Sequence, residues 1–287
     1  MRPSRHPRVV DRVLTGYALA VYAFLFVPIV VVVVFSFNAG RHVAELTGFS
    51  FQWYVEAWTN RFVVEAFRTS ITVALTAGAL STVLGAASAL AMPAAPRPVR
   101  SAFGSLVNMA IVVPGIVLGI SLLIFVVTIT GWLNQWIAYL LPASDMRLGL
   151  GFPSLVAAHS VFGTAIVNVL VRTRMGALDS SIIEASSDLY ASPVRTLRQV
   201  TLPLLAPAII AGFLLAFTFS FDDFIIAFFT RGQAETLPIY LFASIRRGVS
   251  PVINATASTL LAFTITLLAI AALVLRRRHG QTMDPGA

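Results

Sequence analysis

Six runs of apolar residues stand out between polar stretches, near 14–37, 69–92, 103–128, 152–171, 203–229 and 252–275. Each is about long enough to cross a hydrocarbon layer of about 30 Å at about 1.5 Å of helix rise per residue. A backbone in lipid must satisfy its own hydrogen bonds, so the pattern predicts six transmembrane helices and an all-α membrane protein. The first run follows a basic leader, Arg2, Arg5, Arg8 and Arg12, as a signal peptide would. Its length exceeds the about 7–15 residues of a signal-peptide core, which makes it an uncleaved span. No internal repeat or low-complexity linker divides the chain. The simplest division is a leader at 1–13, one transmembrane domain at 14–275 and a tail at 276–287.

Composition narrows the class further. The chain is 57% hydrophobic and 11% charged, against about 45–50% and about 25% in soluble domains. A soluble enzyme is excluded, because so few polar groups could not cover its surface. There is no cysteine, hence no disulfide frame and no thiolate metal site. All 20 basic residues are arginine. Without lysine the chain has neither a Walker A loop nor a Schiff-base site. No Ser/His/Asp triad or paired-carboxylate centre emerges, and no metal or cofactor is expected. The net charge of +8 reads as basic loops facing an anionic leaflet rather than as a nucleic-acid surface.

Arginine placement predicts the orientation. With the N-terminus inside, the inner side holds the four leader arginines, Arg97, Arg100, Arg172, Arg174, Arg195, Arg198, Arg276, Arg277 and Arg278. The outer side holds Arg41, Arg61, Arg68, Arg147, Arg231, Arg246 and Arg247. This bias predicts a multi-pass protein with both termini in the cytoplasm. Trp53, Tyr54, Trp58, Trp132 and Trp136 fall in the outer loops as interface aromatics, and Arg276, Arg277 and Arg278 form a headgroup anchor. Pro28 lies within the first run, and Pro114-Gly115 with Gly119 within the third. Such breaks serve either close helix packing or a bend that lines a pathway.

The inside segment at about 175–202 carries its own helix signals. Ser181-x-x-Glu184 has the form of a capping box, Asp179 and Glu184 suit a positive helix end, and Pro193 is placed to stop the helix. A helix of about ten residues is marginal alone, so it either docks on a partner or lies on the membrane. Asp222 and Asp223 are the carboxylates within the predicted spans. On one continuous helix they point about 100° apart, one toward a cavity and the other into packing. They act in a cation pathway, or they pair with Arg231, Arg246 or Arg247 at a helix end. His159 reads as a packed, hydrogen-bonded histidine, and Asn168 and Asn254 as bonds between helices.

Glu184-Ala185-Ser186-x-Asp188-Leu189-Tyr190-Ala191, followed by Leu202-Pro203 and Pro207, resembles the EAA loop of ABC-importer permeases. The likeness extends to Phe35-Ser36-Phe37-Asn38, to Pro114 with Ile116-Val117, and to Ser220-Phe221-Asp222-Asp223-Phe224. Leu237-Pro238, Gly248-Val249-Ser250-Pro251 and Asn254 complete the ordered set, which is similar to the spermidine/putrescine-type branch over nearly the whole chain. The resemblance implies a type I importer permease fold in a bacterial inner membrane. It also implies a second permease, separate ATPases and an external solute-binding protein. Glu184, Ala185, Ser186, Asp188, Leu189, Tyr190 and Ala191 would form the coupling helix. Ser220, Asp222, Asp223, Pro114 and Gly115 would line the path of a small cationic, polyamine-like solute. Opine-, thiamine- and ferric-iron-type solutes fit the same architecture. A proton-coupled secondary transporter working through Asp222 or Asp223 is the alternative from a different class, though its inverted repeats are not seen.

Two departures bear on these expectations. Tyr190 stands where the EAA pattern has glycine, and a left-handed turn at a non-glycine residue costs about 1–2 kcal/mol. Gly115 stands where many members of the branch carry an acid after the proline, which removes one cation contact.

Overall fold

The long apolar runs become helices, and prolines with their preceding residues decide where several of them stop. The computed structural model describes residues 8–41, 45–142, 145, 147–248 and 250–280. Arg2, Arg5, Val249, the tail 281–287 and the side chains of Arg276, Arg277 and Arg278 lie outside the described residues. In chain order the helices are α1 (Arg8–Ser36), α2 (Gln52–Thr59), α3 (Arg61–Ala91), α4 (Arg97–Val112), α5 (Gly115–Leu140) and α6 (Phe152–Gly176). They continue as α7 (Ser180–Asp188), α8 (Pro193–Thr196), α9 (Leu202–Asp222), α10 (Ile225–Thr230), α11 (Leu237–Arg247) and α12 (Pro251–Gly280). A 3₁₀ turn at Met92–Ala94 follows α3, and a π turn at Leu197–Thr201 joins α8 to α9.

Six helical segments are long and apolar enough to span a membrane: Asp11–Ser36, Arg61–Ala94, Gly115–Leu140, Phe152–Gly176, Pro193–Asp222 and Pro251–Ile270. The number agrees with the hydropathy reading, but two boundaries do not. The run at 103–128 is not one kinked helix. Val113 adopts an extended conformation (φ −64°, ψ 132°) ahead of Pro114, so α4 ends and α5 starts afresh. The run at 203–229 divides at Asp223, which is also extended (φ −69°, ψ 123°). Helix α1 takes in the end of the basic leader, and α12 runs on through 276–280. Pro28 sits inside α1 without ending it.

The chain forms two compact units, Met1–Val64 with Leu241–Phe263, and Glu65–Tyr240 with Thr264–Ala287. In the first, Asn38 organises the loop after α1. Its side-chain N–H donates to the Glu45 carbonyl at 2.7 Å, and its Oδ1 accepts the Thr47 N–H at 2.8 Å. The Trp53 indole N–H donates to the Asn38 carbonyl at 2.6 Å. Trp53 is thus buried, not an interface aromatic, because a hydrogen-bonded indole can enter a core. Tyr54 shares a 2.7 Å hydrogen bond with Ser36 and packs on Phe37. Replacing Asn38 by alanine removes two part-buried hydrogen bonds to the backbone of the loop, each worth about 0.5–1.5 kcal/mol. Hydrogen exchange should show the amides of 45–52 losing protection in Asn38→Ala while those of α6 are unchanged.

In the second unit α6 is the central post. Its small residues let α3 and α9 approach closely, and buried polar groups fix the register. Asn168 donates to Ser88 Oγ at 2.8 Å, the interhelical bond expected of it, and Ser81 donates to the Ser160 carbonyl at 3.3 Å. Ala89, Val167, Val171, Leu205 and Ala216 pack as one core cluster, and Val73, Leu155, Ala227 and Ile239 as another.

Candidate functional site

Both helix breaks open on the same cavity of about 240 Å³. Gly115 and Leu118 line it from the start of α5, His159 and Phe162 from α6, Ser220 from α9, and Asp223 from the second break. Pro114 makes the first break rather than a wall. Past it, α5 and α10 pack tightly. A Cβ on Gly119 would lie 2.7 Å from the Phe229 ring, so only glycine seats that side chain.

His159 is buried, with Nδ1 sharing a 2.7 Å hydrogen bond with Ser220 Oγ. Its Nε2 faces Asp223 Oδ2 at 3.6 Å. The packed, hydrogen-bonded histidine is as expected, but its place in the cavity wall is not something the sequence marks. His159 and Ser220 are 61 residues apart and meet because α6 packs on α9. The one available signal was a polar residue in an apolar helix.

The two aspartates diverge, though not as neighbours on one helix. Asp222 ends α9 and accepts the Thr264 hydroxyl of α12, 3.2 Å from each carboxylate oxygen. Asp223 lies past the helix end, where its Oδ2 accepts the Ala227 N–H at 3.0 Å. That bond starts α10, and the same carboxylate faces the cavity. Among the described residues no ion pair joins either acid to Arg231. Arg247 donates to Ser244 at 3.1 Å, and Arg246 lies over the Phe242 ring at 5.0 Å. The cavity therefore presents one carboxylate, one imidazole and one hydroxyl in apolar surroundings, a set suited to a hydrogen-bonding cation. Among the described residues no group of three or more His, Cys, Asp or Glu could hold a metal.

The second feature is the α7–α8 segment. The capping box Ser181–Glu184 does not form. Asp179 is the N-cap, its carboxylate accepting the Ser181 N–H at 3.0 Å, so the helix starts two residues earlier and Glu184 lies exposed past the first turn. The Ser181 backbone N–H, and then its side chain, hold the Asp179 carboxyl below its ordinary value of 3.8. A depressed carboxyl contributes stability above its ordinary pKa, and that contribution fades as pH falls through the lowered one.

Nor does Pro193 end the helix. Tyr190 does, at φ +58°. The Tyr190 N–H donates to the Ser187 carbonyl and the Ala191 N–H to the Ser186 carbonyl, the paired bonds of a Schellman closure. The turn that the EAA pattern makes with glycine is thus kept with a tyrosine, at the left-handed cost of about 1–2 kcal/mol. Pro193 instead opens α8, behind Ser192 as its N-cap, and Ser186 and Thr196 share a 2.9 Å hydrogen bond that ties α7 to α8.

Residues 81–284 match the family described as binding-protein-dependent transport system inner membrane component. The chain is 32% identical over 265 residues to the spermidine/putrescine transport system permease protein PotC of Haemophilus influenzae, covering 92% of this chain and 96% of that one. It is 36% identical over 245 residues to the putrescine transport system permease protein PotI of Escherichia coli, covering 84% and 82%. Among solved structures, a bacterial ABC transporter that imports the acidic polysaccharide alginate matches with a TM-score of 0.72 at 12% identity, over 94% of this chain and 98% of that one. An amino acid ABC transporter matches with a TM-score of 0.56 at 19% identity, over 80% and 100%. At these identities the structures speak for the fold.

Proposed function

Because this chain belongs to the family of binding-protein-dependent transport system inner membrane components, we propose that it forms half of the pathway of a polyamine importer. It is a multi-pass inner-membrane permease subunit, a transport component and not an enzyme. In the reading proposed here a second permease completes the pathway and a solute-binding protein delivers a small aliphatic cation. Separate ATPase subunits drive the cycle, since a chain without lysine has no P-loop. The arginine bias supports cytoplasmic termini and a cytoplasmic α7, which would carry ATPase closure to α9 through the π turn. Transport is then a rigid-body alternation between two states rather than covalent chemistry.

The observation that carries the reading is Asp223, a carboxylate at a helix break, facing a cavity with His159 and Ser220 beside it. Lengthwise, an amine-terminated chain offers donors at its end for these three groups and methylenes for Phe162 and Leu118. Gly115 adds no charge, so selection for cations falls on Asp223.

Two measurements test this. Reporter fusions at Gly149 and Gly232 should read outside and one at Asp179 inside; an outside reading at Asp179 would remove the ATPase from reach of α7. Vesicles holding both permeases and the ATPase, supplied with the binding protein, should accumulate putrescine or spermidine in an ATP-dependent way. Hydrolysis stimulated by the binding protein without uptake of either amine would reject the polyamine assignment.

A further inference from the structure

We propose that Tyr190 is the anchor by which this chain grips its ATPase, an aromatic ring presented at the α7–α8 tip to an apolar cup with a basic rim. The proposal rests on the reading of α7 as the ATPase-facing helix. Among the described residues Tyr190 is the non-glycine residue with positive φ. Glycine or asparagine closes a helix in this way with little steric penalty, and a tyrosine does not. Among the described residues nothing offsets that penalty. The Schellman bonds come from the backbone and would form with glycine. The ring itself is 98% exposed and has no hydrogen-bond or ring partner among the described residues. Strain of this kind persists where the surroundings or a function require it, and among the described residues the ring meets no such surroundings.

The neighbours indicate what receives it. Leu189 (81% exposed), the preceding residue, and Val194 (67%), at the start of α8, add exposed apolar surface at the tip. Glu184 and Asp188 stand exposed on α7 behind it, and α7 carries no basic residue. Arg195, the nearest following cation, donates to Gln199 of the π turn at 3.1 Å. The exposed acids of α7 disfavour contact of that helix with an anionic leaflet, which makes a protein the better occupant. The apolar tip with its acidic flank complements a protein cup with a basic rim. Tyrosine supplies a large, stiff contact at small entropic cost, the profile of an interface hot spot. On the proposed reading the partner that meets this tip is the ATPase subunit.

The experiment is retention of the ATPase by the full permease pair in lipid nanodiscs, without nucleotide, for Tyr190→Asn, Tyr190→Gly and Tyr190→Phe. Asparagine and glycine both favour the left-handed turn, so the fold of the tip survives while the ring is lost. The ATPase dissociation constant should rise at least about tenfold in these two variants and stay within about threefold of the parent in Tyr190→Phe. Parent-like affinity in Tyr190→Asn and Tyr190→Gly, or an equal loss in Tyr190→Phe, overturns the anchor. Glu184→Arg separates this failure from that of the wider reading. If it releases the ATPase while Tyr190→Asn does not, α7 still docks and the anchor alone is rejected. If neither changes affinity, both readings fall. Quenching of a Tyr190→Trp variant by brominated phosphatidylglycerol in the assembled complex, above the background of the parent tryptophans, places the ring in lipid and also rejects the proposal.

Discussion

Asp223→Asn should cut polyamine uptake at least about tenfold while the assembled complex is recovered in near-parental amount. The side chain has two roles that this substitution separates. Its oxygen accepts the Ala227 N–H and starts α10, and asparagine can accept the same bond. Its charge faces the cavity beside His159 and Ser220, and asparagine lacks it. An ammonium about 4 Å from a carboxylate gains about 4 kcal/mol at an effective dielectric constant near 20. Desolvation takes back a large share, and a tenfold effect requires about 1.4 kcal/mol to remain. Asp222→Asn should leave uptake within about twofold, since Thr264 can donate equally well to an amide oxygen; that figure follows from the small worth of one neutral hydrogen bond. The measurement is uptake in reconstituted vesicles normalised to assembled complex. If Asp223→Asn transports normally and Asp223→Ala loses the complex, Asp223 is a helix-starting residue and the pathway role is gone.

Gly85→Val should abolish recovery of folded permease. A Cβ at Gly85 would lie 2.6 Å from Val167 Cβ and 2.9 Å from the Thr164 carbonyl oxygen. The first is a stiff β-branched side chain in the core cluster, and the second is backbone of α6, so neither can move aside without shifting a helix. Overpacking costs about 1–3 kcal/mol where neighbours can adjust, and more is expected where the obstacle is backbone. The change also pushes apart the faces that hold Asn168 on Ser88, leaving a buried amide to be satisfied elsewhere. Gly16→Val is the matched control, with nothing within 4 Å of the new Cβ. Detergent-extracted protein should be monodisperse for Gly16→Val and aggregated or absent for Gly85→Val. A parental melting temperature in Gly85→Val would mean that α3 and α6 are not locked together there.

The helical class, the six spans and the family were legible because lipid leaves a backbone few solutions and because the motif residues keep their order along the chain. Helix ends were less so. Pro114 marked a break, yet nothing in the pattern distinguished a kink from a new helix. The Asp223 break has no proline at all. It depends on the carboxylate capturing the Ala227 N–H, a competition decided by geometry. The start of α7 failed similarly, since Asp179 and Ser181 both suit an N-cap and a shift of two residues dissolved the Ser181–Glu184 pairing. Tyr190 hid the left-handed turn because tyrosine gives no sign of one. His159 meeting Ser220 and Asp223 was beyond periodicity altogether, for it follows from how α6 and α9 are packed.

Residues 11–31 of α1 are all exposed, whereas 56% of the apolar core window of α6 is buried. Under mutation the two spans therefore obey different grammars. Exposed along 11–31, α1 is read almost as a quantity, the sum of its transfer free energies, so leucine, valine, phenylalanine and isoleucine are near synonyms and its spelling can drift without notice. Helix α6 is read as a shape, letter by letter, since each position meets a particular neighbour. Lineages descending from this chain should diverge fastest in α1 and slowest in α6. A randomised library restricted to apolar residues should return mostly functional clones from the first helix and few from the second.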